Sequence, residues 1–310
     1  MDGVDGRLGR RWLRRAGTAG VRICKAVIPA AGTGSRLWPL TATVPKPMLP
    51  IGRTPILEHV ISNLRMAGIE EVMVVVDFRR DAIMDYFGDG KALGVDISYV
   101  VQGPDLRGSA GAILHAAEWI GDSGFMFASP DCYMGKPATS ASPLTALQRL
   151  VAAFEQRSVM AIALTEWVPR QMAVGAPALN IPLIASTAAD PQDRDPFPID
   201  LSAPAPVSES GRLSVLVPRG YWALSPDMLD VMRRTPVGPD GEVRVSSAAR
   251  LVTPTKAVWA APMWPGECSV DIGDWSNFLR ISALAAVQDE EYGPEIVKFV
   301  SGELSGQRLS

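Results

Sequence analysis

Between Ala30 and Pro50 the chain reads AAGTGSRLWPLTATVPKPMLP, with two glycines, an arginine and a proline-flanked lysine close together. Gly32 and Gly34 carry no Cβ, so the backbone there can turn tightly and approach a ligand. Successive N–H groups along Ala31, Gly32, Thr33, Gly34 and Ser35 can form a concave nest for an anion. Arg36 follows directly and offers a planar guanidinium with several donors for a phosphate. Lys46 adds a second cation on a backbone stiffened by Pro45 and Pro47. A nest and two cations suit a triphosphate undergoing displacement, because negative charge builds on its equatorial and leaving oxygens. Two common phosphate loops are excluded by spacing. No Lys follows Gly34 as GxxxxGK[ST] demands, and Leu37 stands where the third glycine of GxGxxG belongs.

Other polar residues fall at the ends of apolar runs. Gln102 closes DISYVVQ, and a primary amide can pair with a base edge as donor and acceptor together. Asp131 follows the apolar FMFA after Ser129-Pro130, where a carboxylate can hold a hard divalent cation through oxygen. The two histidines, His59 and His115, lie within helical patterns and read as packing or surface residues. Cys24, Cys132 and Cys268 form no CxxC pair or Cys/His cluster, so no zinc site or disulfide framework is indicated.

The elements that must position these residues follow from periodicity. Short apolar runs at Ile23 to Pro29, Glu71 to Asp77, Asp96 to Gln102, Gly124 to Ser129 and Ser158 to Leu164 read as buried strands. Helical patterns alternate with them: one opened by Thr54 as N-cap and Pro55, then Arg80 to Phe87, Gly108 to Ile120, and Leu144 to Gln156. This alternation predicts an α/β fold, a Rossmann-like mostly parallel sheet flanked by helices, with ligands beyond the carboxyl ends of the strands. A hairpin-like pair (Leu213 to Val217, Tyr221 to Leu224), a helix at Ser225 to Arg234, a strand at Ala257 to Ala261 and two terminal helices complete the pattern. The expected organisation is a basic arm at 1–22, one domain at 23–288, and a C-terminal helix and tail at 289–310. Within the domain a nucleotide half spans about 23–135 and an acceptor half about 136–288. The proline-rich stretch Pro169 to Pro206 reads equally as a surface excursion or as a lid over an acceptor. Net charge of −3 argues against a nucleic-acid partner, and no apolar run is long enough to span a membrane. A cytoplasmic protein is expected.

The string from Ala30 to Pro50 closely resembles the GxGTRLxPLTxxxPKPMLP signature of the sugar-1-phosphate nucleotidyltransferases, with Ser35 in place of Thr. The resemblance implies a nucleotide-diphospho-sugar transferase fold and a Mg²⁺-dependent reaction. An NTP and a sugar-1-phosphate would give an NDP-sugar and pyrophosphate. It assigns Arg36 to the departing pyrophosphate, Lys46 to the α-phosphate, and Gln102 and Gly108 to the nucleobase. Asp131 and Asp271, the latter in VDIGDW, become the metal ligands. The incoming phosphate needs no general base. Gln102 resembles uridylyl- and thymidylyltransferases, whereas Gly108-Ser109-Ala110-Gly111-Ala112 resembles the GTAGA of guanylyltransferases, so the base stays open. Departures gather on the acceptor side. Met172-Ala173 stand there for Tyr-Gly and Ser247 replaces an Asp, whereas Pro130 and Asp274 replace a Gly and a Thr in the segments of the two metal ligands. No Lys occurs between Lys136 and Lys256, which leaves Arg219 as the candidate cation there, with Gly220 and Glu242 beside it as acceptor residues. Family members are often oligomers, so a homo-oligomer is an expectation. The alternative function is a catalytically silent paralogue that binds nucleotide or NDP-sugar as a regulatory subunit.

Overall fold

A computed structural model of the chain describes residues 22–135, 144–169, 195–201, 214–255 and 257–304. Its strands are β1 (Lys25–Pro29), β2 (Pro50–Ile51), β3 (Thr54–Pro55), β4 (Glu71–Val76), β5 (Asp96–Val101) and β6 (Phe125–Ala128). They continue with β7 (Cys132–Gly135), β8 (Ala161–Pro169), β9 (Phe197–Pro198), β10 (Ser214–Leu224), β11 (Val258–Pro262) and β12 (Cys268–Asp271). Eight form one sheet in the order β5-β4-β1-β6-β10-β8-β11-β9. β5, β4, β1 and β6 run parallel, as do β8 and β11, whereas β10 and β9 are antiparallel to their neighbours. The sheet is therefore mostly parallel, as the alternating pattern predicts.

Both faces of this sheet are covered, which is why its central strands read as unbroken apolar runs. Alternation sends Ala26 and Ile28 of β1 to one face, against Leu57, Val60, Ile61 and Leu64 of the helix Ile56–Met66. Val27 points the other way, into a core shared with Ala110, Ala112 and Ile113 of the helix Gly108–His115. Burying one Leu or Ile side chain contributes roughly 1.5–3 kcal/mol, so these two layers supply the bulk of the driving force. A third cluster of Ile51, Ile56, Tyr133, Ile272 and Ile281 ties the helix Trp275–Val287 to the small β2–β3 hairpin. Among the described residues no helix is long and apolar enough to cross a membrane.

Some local expectations are corrected. Ile51 pairs with Thr54, which draws Thr54-Pro55 into β3, so the helix starts at Ile56 without a side-chain cap. Thr54 Oγ1 instead lies 2.9 Å from His59 Nε2. The hairpin expected at 213–224 is one strand: β10 runs through the bulge between Pro218 and Trp222 and pairs with β6 and β8 on its two sides. Gly220, at φ 74°, makes that bulge, so its glycine signals a kink rather than a reversal. The basic arm, apart from Arg22, and most of the proline-rich stretch lie outside the described residues.

Candidate active site

The loop after β1 leaves the carboxyl end of a central strand, where doubly wound sheets place their ligands. Gly34 is required twice over. Its φ of 66° is left-handed, and a Cβ there would stand 3.0 Å from Lys46 Cβ and 3.1 Å from Thr41 Cγ2. Thr41 Oγ1 donates to the Gly34 carbonyl at 2.9 Å, and buried Leu37 and Leu49 pin the loop at both ends. A Cβ on Gly32 would meet nothing within 4 Å, because that side opens into the cleft. The N–H groups of Gly32, Thr33 and Gly34 donate to no acceptor among the described residues, so the nest is free for an anion.

The two distant aspartates meet. β12 pairs with β7 so that Asp271 stands opposite Cys132, and the Ile272 N–H donates to the Asp131 carbonyl at 3.0 Å. Lys46 Nζ lies between the carboxylates, hydrogen-bonded to Asp131 Oδ2 and 3.6 Å from Asp271 Oδ1. Gly273 marks the convergence: a Cβ there would sit 2.6 Å from Asp271 Oδ1, 2.8 Å from Arg36 Nη2 and 2.8 Å from Lys46 Nζ. Its N–H donates to Asp271 Oδ1 at 2.5 Å. Partial burial and the charge of Asp131 push the Asp271 carboxyl up to about 6, against the pull of Lys46. With 52% of its side chain exposed, Asp271 is crowded by neighbours rather than sealed from the cleft's water. Burial would lower the Lys46 ammonium, but the two carboxylates outweigh it and hold its pKa above the ordinary value. The site therefore keeps a cation between two anions.

The departure at Asp274 proves structural. Its carboxylate caps the helix Trp275–Val287, with Oδ1 accepting from the Asn277 N–H at 2.9 Å, as a Thr hydroxyl would.

At the other end of the cleft stand Gln102 and Gly108. Gln102 N–H extends the β4–β5 ladder to the Val76 carbonyl at 2.8 Å, and its Nε2 donates to the Leu106 carbonyl at 2.7 Å. A carbonyl only accepts, so the amide nitrogen must face Leu106 and Oε1 is left as an acceptor. Gly108, at φ 85°, packs so tightly that a Cβ would lie 2.6 Å from the Val243 carbonyl. Arg107 and Glu242 form a parallel bridge there. Glu242, expected beside the acceptor, thus lies against Gly108 at the Gln102 end. Arg219 and Gly220 adjoin Ser129 without lining the cleft: the Gly220 carbonyl accepts from the Ser129 N–H at 2.8 Å, and Arg219 pairs with Glu166 at 2.7 Å.

One cleft of about 450 Å³ is lined by Ala31 through Arg36, Lys46, Gln102, Gly108, Asp131 and Glu242, whereas Asp271, Arg219 and Gly220 do not line it. It is also lined by Asp77, Arg107, Ser109 and Gly273, which the sequence reading did not assign. Position at a strand or helix end was the signal available for the first three. Gly273 lay inside a quoted motif without a stated role. Among the described residues no three His, Cys, Asp or Glu side chains cluster as a metal cage. The two carboxylates of Asp131 and Asp271 are oxygen donors of the kind a hard cation takes.

A mostly parallel α/β sheet with an anion nest, two cations and two convergent carboxylates at its strand ends defines a transferase acting on phosphorylated nucleotides. Residues 25–172 match the family model described as nucleotidyl transferase, and the chain is similar to sugar-1-phosphate nucleotidyltransferases. A UTP–glucose-1-phosphate uridylyltransferase of Staphylococcus saprophyticus is 26% identical over 301 residues, covering 90% of this chain and 97% of its own. A low-salt glycan biosynthesis nucleotidyltransferase of Haloferax volcanii is 42% identical over 103 residues, covering 33% of this chain and 29% of its own. The fold matches the UTP-bound UGPase of Acinetobacter baumannii with a TM-score of 0.72 at 20% identity, over 90% of this chain and 99% of that one.

Proposed function

We propose that the protein transfers the uridylyl group of UTP to a hexose-1-phosphate such as glucose-1-phosphate, releasing pyrophosphate. The observation that carries this reading is the meeting of Arg36, Lys46, Asp131 and Asp271 around Gly273, at the mouth of the glycine loop. Such a set has work to do only where several negative phosphates are brought together.

Gln102 supports the choice of base. Its free Oε1 accepts from the imide N–H of uracil and disfavours cytosine and adenine, which present a ring acceptor there, while thymine and guanine also donate at that position. The Staphylococcus relative, named for UTP and glucose-1-phosphate, points the same way.

In the reaction a phosphate oxygen of the sugar attacks the α-phosphorus, a P–O bond forms, and the bond to the β-phosphate breaks with its electrons leaving on pyrophosphate. The nest at Gly32–Gly34 and Arg36 hold the leaving phosphates, and Lys46 is placed for the α-phosphate. Asp131 and Asp271 would hold Mg²⁺, which would supply neutralisation of the phosphates' charge. Arg219, braced by Glu166, takes the sugar phosphate in place of the lysine lacking between Lys136 and Lys256. Glu242 belongs, by its contact with Gly108, to the nucleoside end. Nucleotide and acceptor halves meet along the cleft, within one domain at 23–288. The test is a matrix of NTPs against sugar-1-phosphates with pyrophosphate release as readout. UTP with a hexose-1-phosphate should lead, and no release from any pair would sink the proposal.

A further inference from the structure

His115 ends the helix Gly108–His115 and is partly buried among apolar neighbours, with no part in the chemistry above. Its ring nonetheless reaches the loop that carries the base contact. The Gly103 N–H donates to His115 Nε2 at 3.2 Å, and an amide N–H can only donate, so that nitrogen must be unprotonated. Gly103 follows Gln102, so the bond grips the peptide plane attached to the residue that faces the base. A Cβ on Gly103 would stand 3.1 Å from His115 Cε1, so the fit is close on both sides.

The loop's other ties end on backbone carbonyls and amides. Gln102 N–H reaches Val76, Gln102 Nε2 reaches Leu106, and Arg107 pairs with Val243. The Leu106 carbonyl lies 2.6 Å from where a Cβ of Gly111 would stand, so the loop lies flat on the helix. Among these ties the imidazole is the one side chain reaching in from outside the loop.

We propose that His115 is a positioning residue for nucleobase recognition: its neutral ring orients the Gln102–Gly103 peptide, and with it the Gln102 amide, towards the base. This rests on the reading of the cleft as a nucleotide site. Loss of the ring loosens the base contact and leaves the phosphate centre intact.

The test uses the full chain and two variants, His115→Ala and His115→Gln, the second keeping an acceptor oxygen. KM for UTP, KM for glucose-1-phosphate and kcat are measured alongside hydrogen exchange of residues 102–106. His115→Ala should raise KM for UTP roughly five-fold, the scale of one net hydrogen bond, with kcat and the sugar-phosphate KM unchanged. Exchange at Gly103 should quicken, and His115→Gln should recover much of both effects. An unchanged KM for UTP in His115→Ala overturns the proposal, as does a Gln variant no better than Ala. Parallel losses in every constant would mark a general packing defect and also overturn it. If the wild type turns over no UTP, the reading of the cleft fails. The exchange arm then still decides the clamp, which falls if Gly103 protection is the same with and without the ring.

Discussion

Replacing Gly273 with Ala places one methyl at the point where the charged groups of the cleft meet. The added carbon would lie 2.6 Å from Asp271 Oδ1 and 2.8 Å from both Arg36 Nη2 and Lys46 Nζ. Ordinary contact begins near 3.4 Å, so each group must retreat by about 0.6–0.8 Å. All three are ends of flexible side chains, so the fold absorbs the change. Their mutual geometry does not. A misplacement of about 1 Å costs roughly 10²-fold in rate, so kcat/KM should fall roughly 30- to 100-fold, or about 2–2.7 kcal/mol of transition-state stabilisation. Gly273 is not in the left-handed region, so Ala fits its backbone and restricts the unfolded chain, a gain of about 0.4–1 kcal/mol at most. The assay is initial-rate pyrophosphate release over UTP and glucose-1-phosphate, paired with thermal unfolding. Activity within threefold of the wild type at equal Tm would refute the convergence argument. A large fall in Tm would refute the claim that the fold tolerates the methyl.

Other outcomes follow from the same geometry. Asp131→Asn should lower kcat roughly 10²–10³-fold, the range for removing one preorganised charged group, and shift the Mg²⁺ requirement; a normal Mg²⁺ titration would contradict its role. Gln102→Leu should cost roughly tenfold in kcat/KM for UTP, about one buried hydrogen bond, and narrow the preference over CTP, which competition between the two nucleotides would reveal. Partial burial and Asp131 push the Asp271 carboxyl up to about 6. Because ligation needs the carboxylate, the Mg²⁺ concentration for half-maximal rate should climb as pH falls through that value and level off above about pH 7.5. Burial drives the Cys132 thiol up to about 12, so at pH 8 roughly one molecule in 10⁴ carries a thiolate there. Iodoacetamide should therefore label Cys24 and Cys268 first, as peptide mass spectrometry would show.

The alternation of apolar strands and amphipathic helices made the parallel part of the sheet legible, because double burial writes itself as unbroken runs of Val, Ile and Ala. The glycine loop was legible for a similar reason: Gly34 has no substitute at its φ and beside Lys46. What escaped was set by pairing at long range. Nothing in Ser214–Leu224 tells a hairpin from a bulged strand, since a Pro and a Gly mark either. The short β7 and β12, four residues each, carry little periodicity alone, yet their pairing delivers Asp271 to Asp131. Glu242 was placed by motif order, and only the bridge to Arg107 shows which end of the cleft it serves. His115 looked like packing, because a helix pattern cannot show that a loop amide comes to rest on its ring.

β10 is the seam between the nucleotide strands and the rest, flanked by β6 on one side and β8 on the other. As the chain leaves the ribosome, β6 emerges with an open edge whose partner follows about 90 residues later, a wait of roughly 4–18 s at ordinary synthesis rates. An unpaired edge of Phe125–Ala128 is an invitation to foreign strands through that interval. Nascent-chain binders that shield bare edges would therefore find their longest opportunity in the first half of this polypeptide, before its own reversed strand arrives to close it.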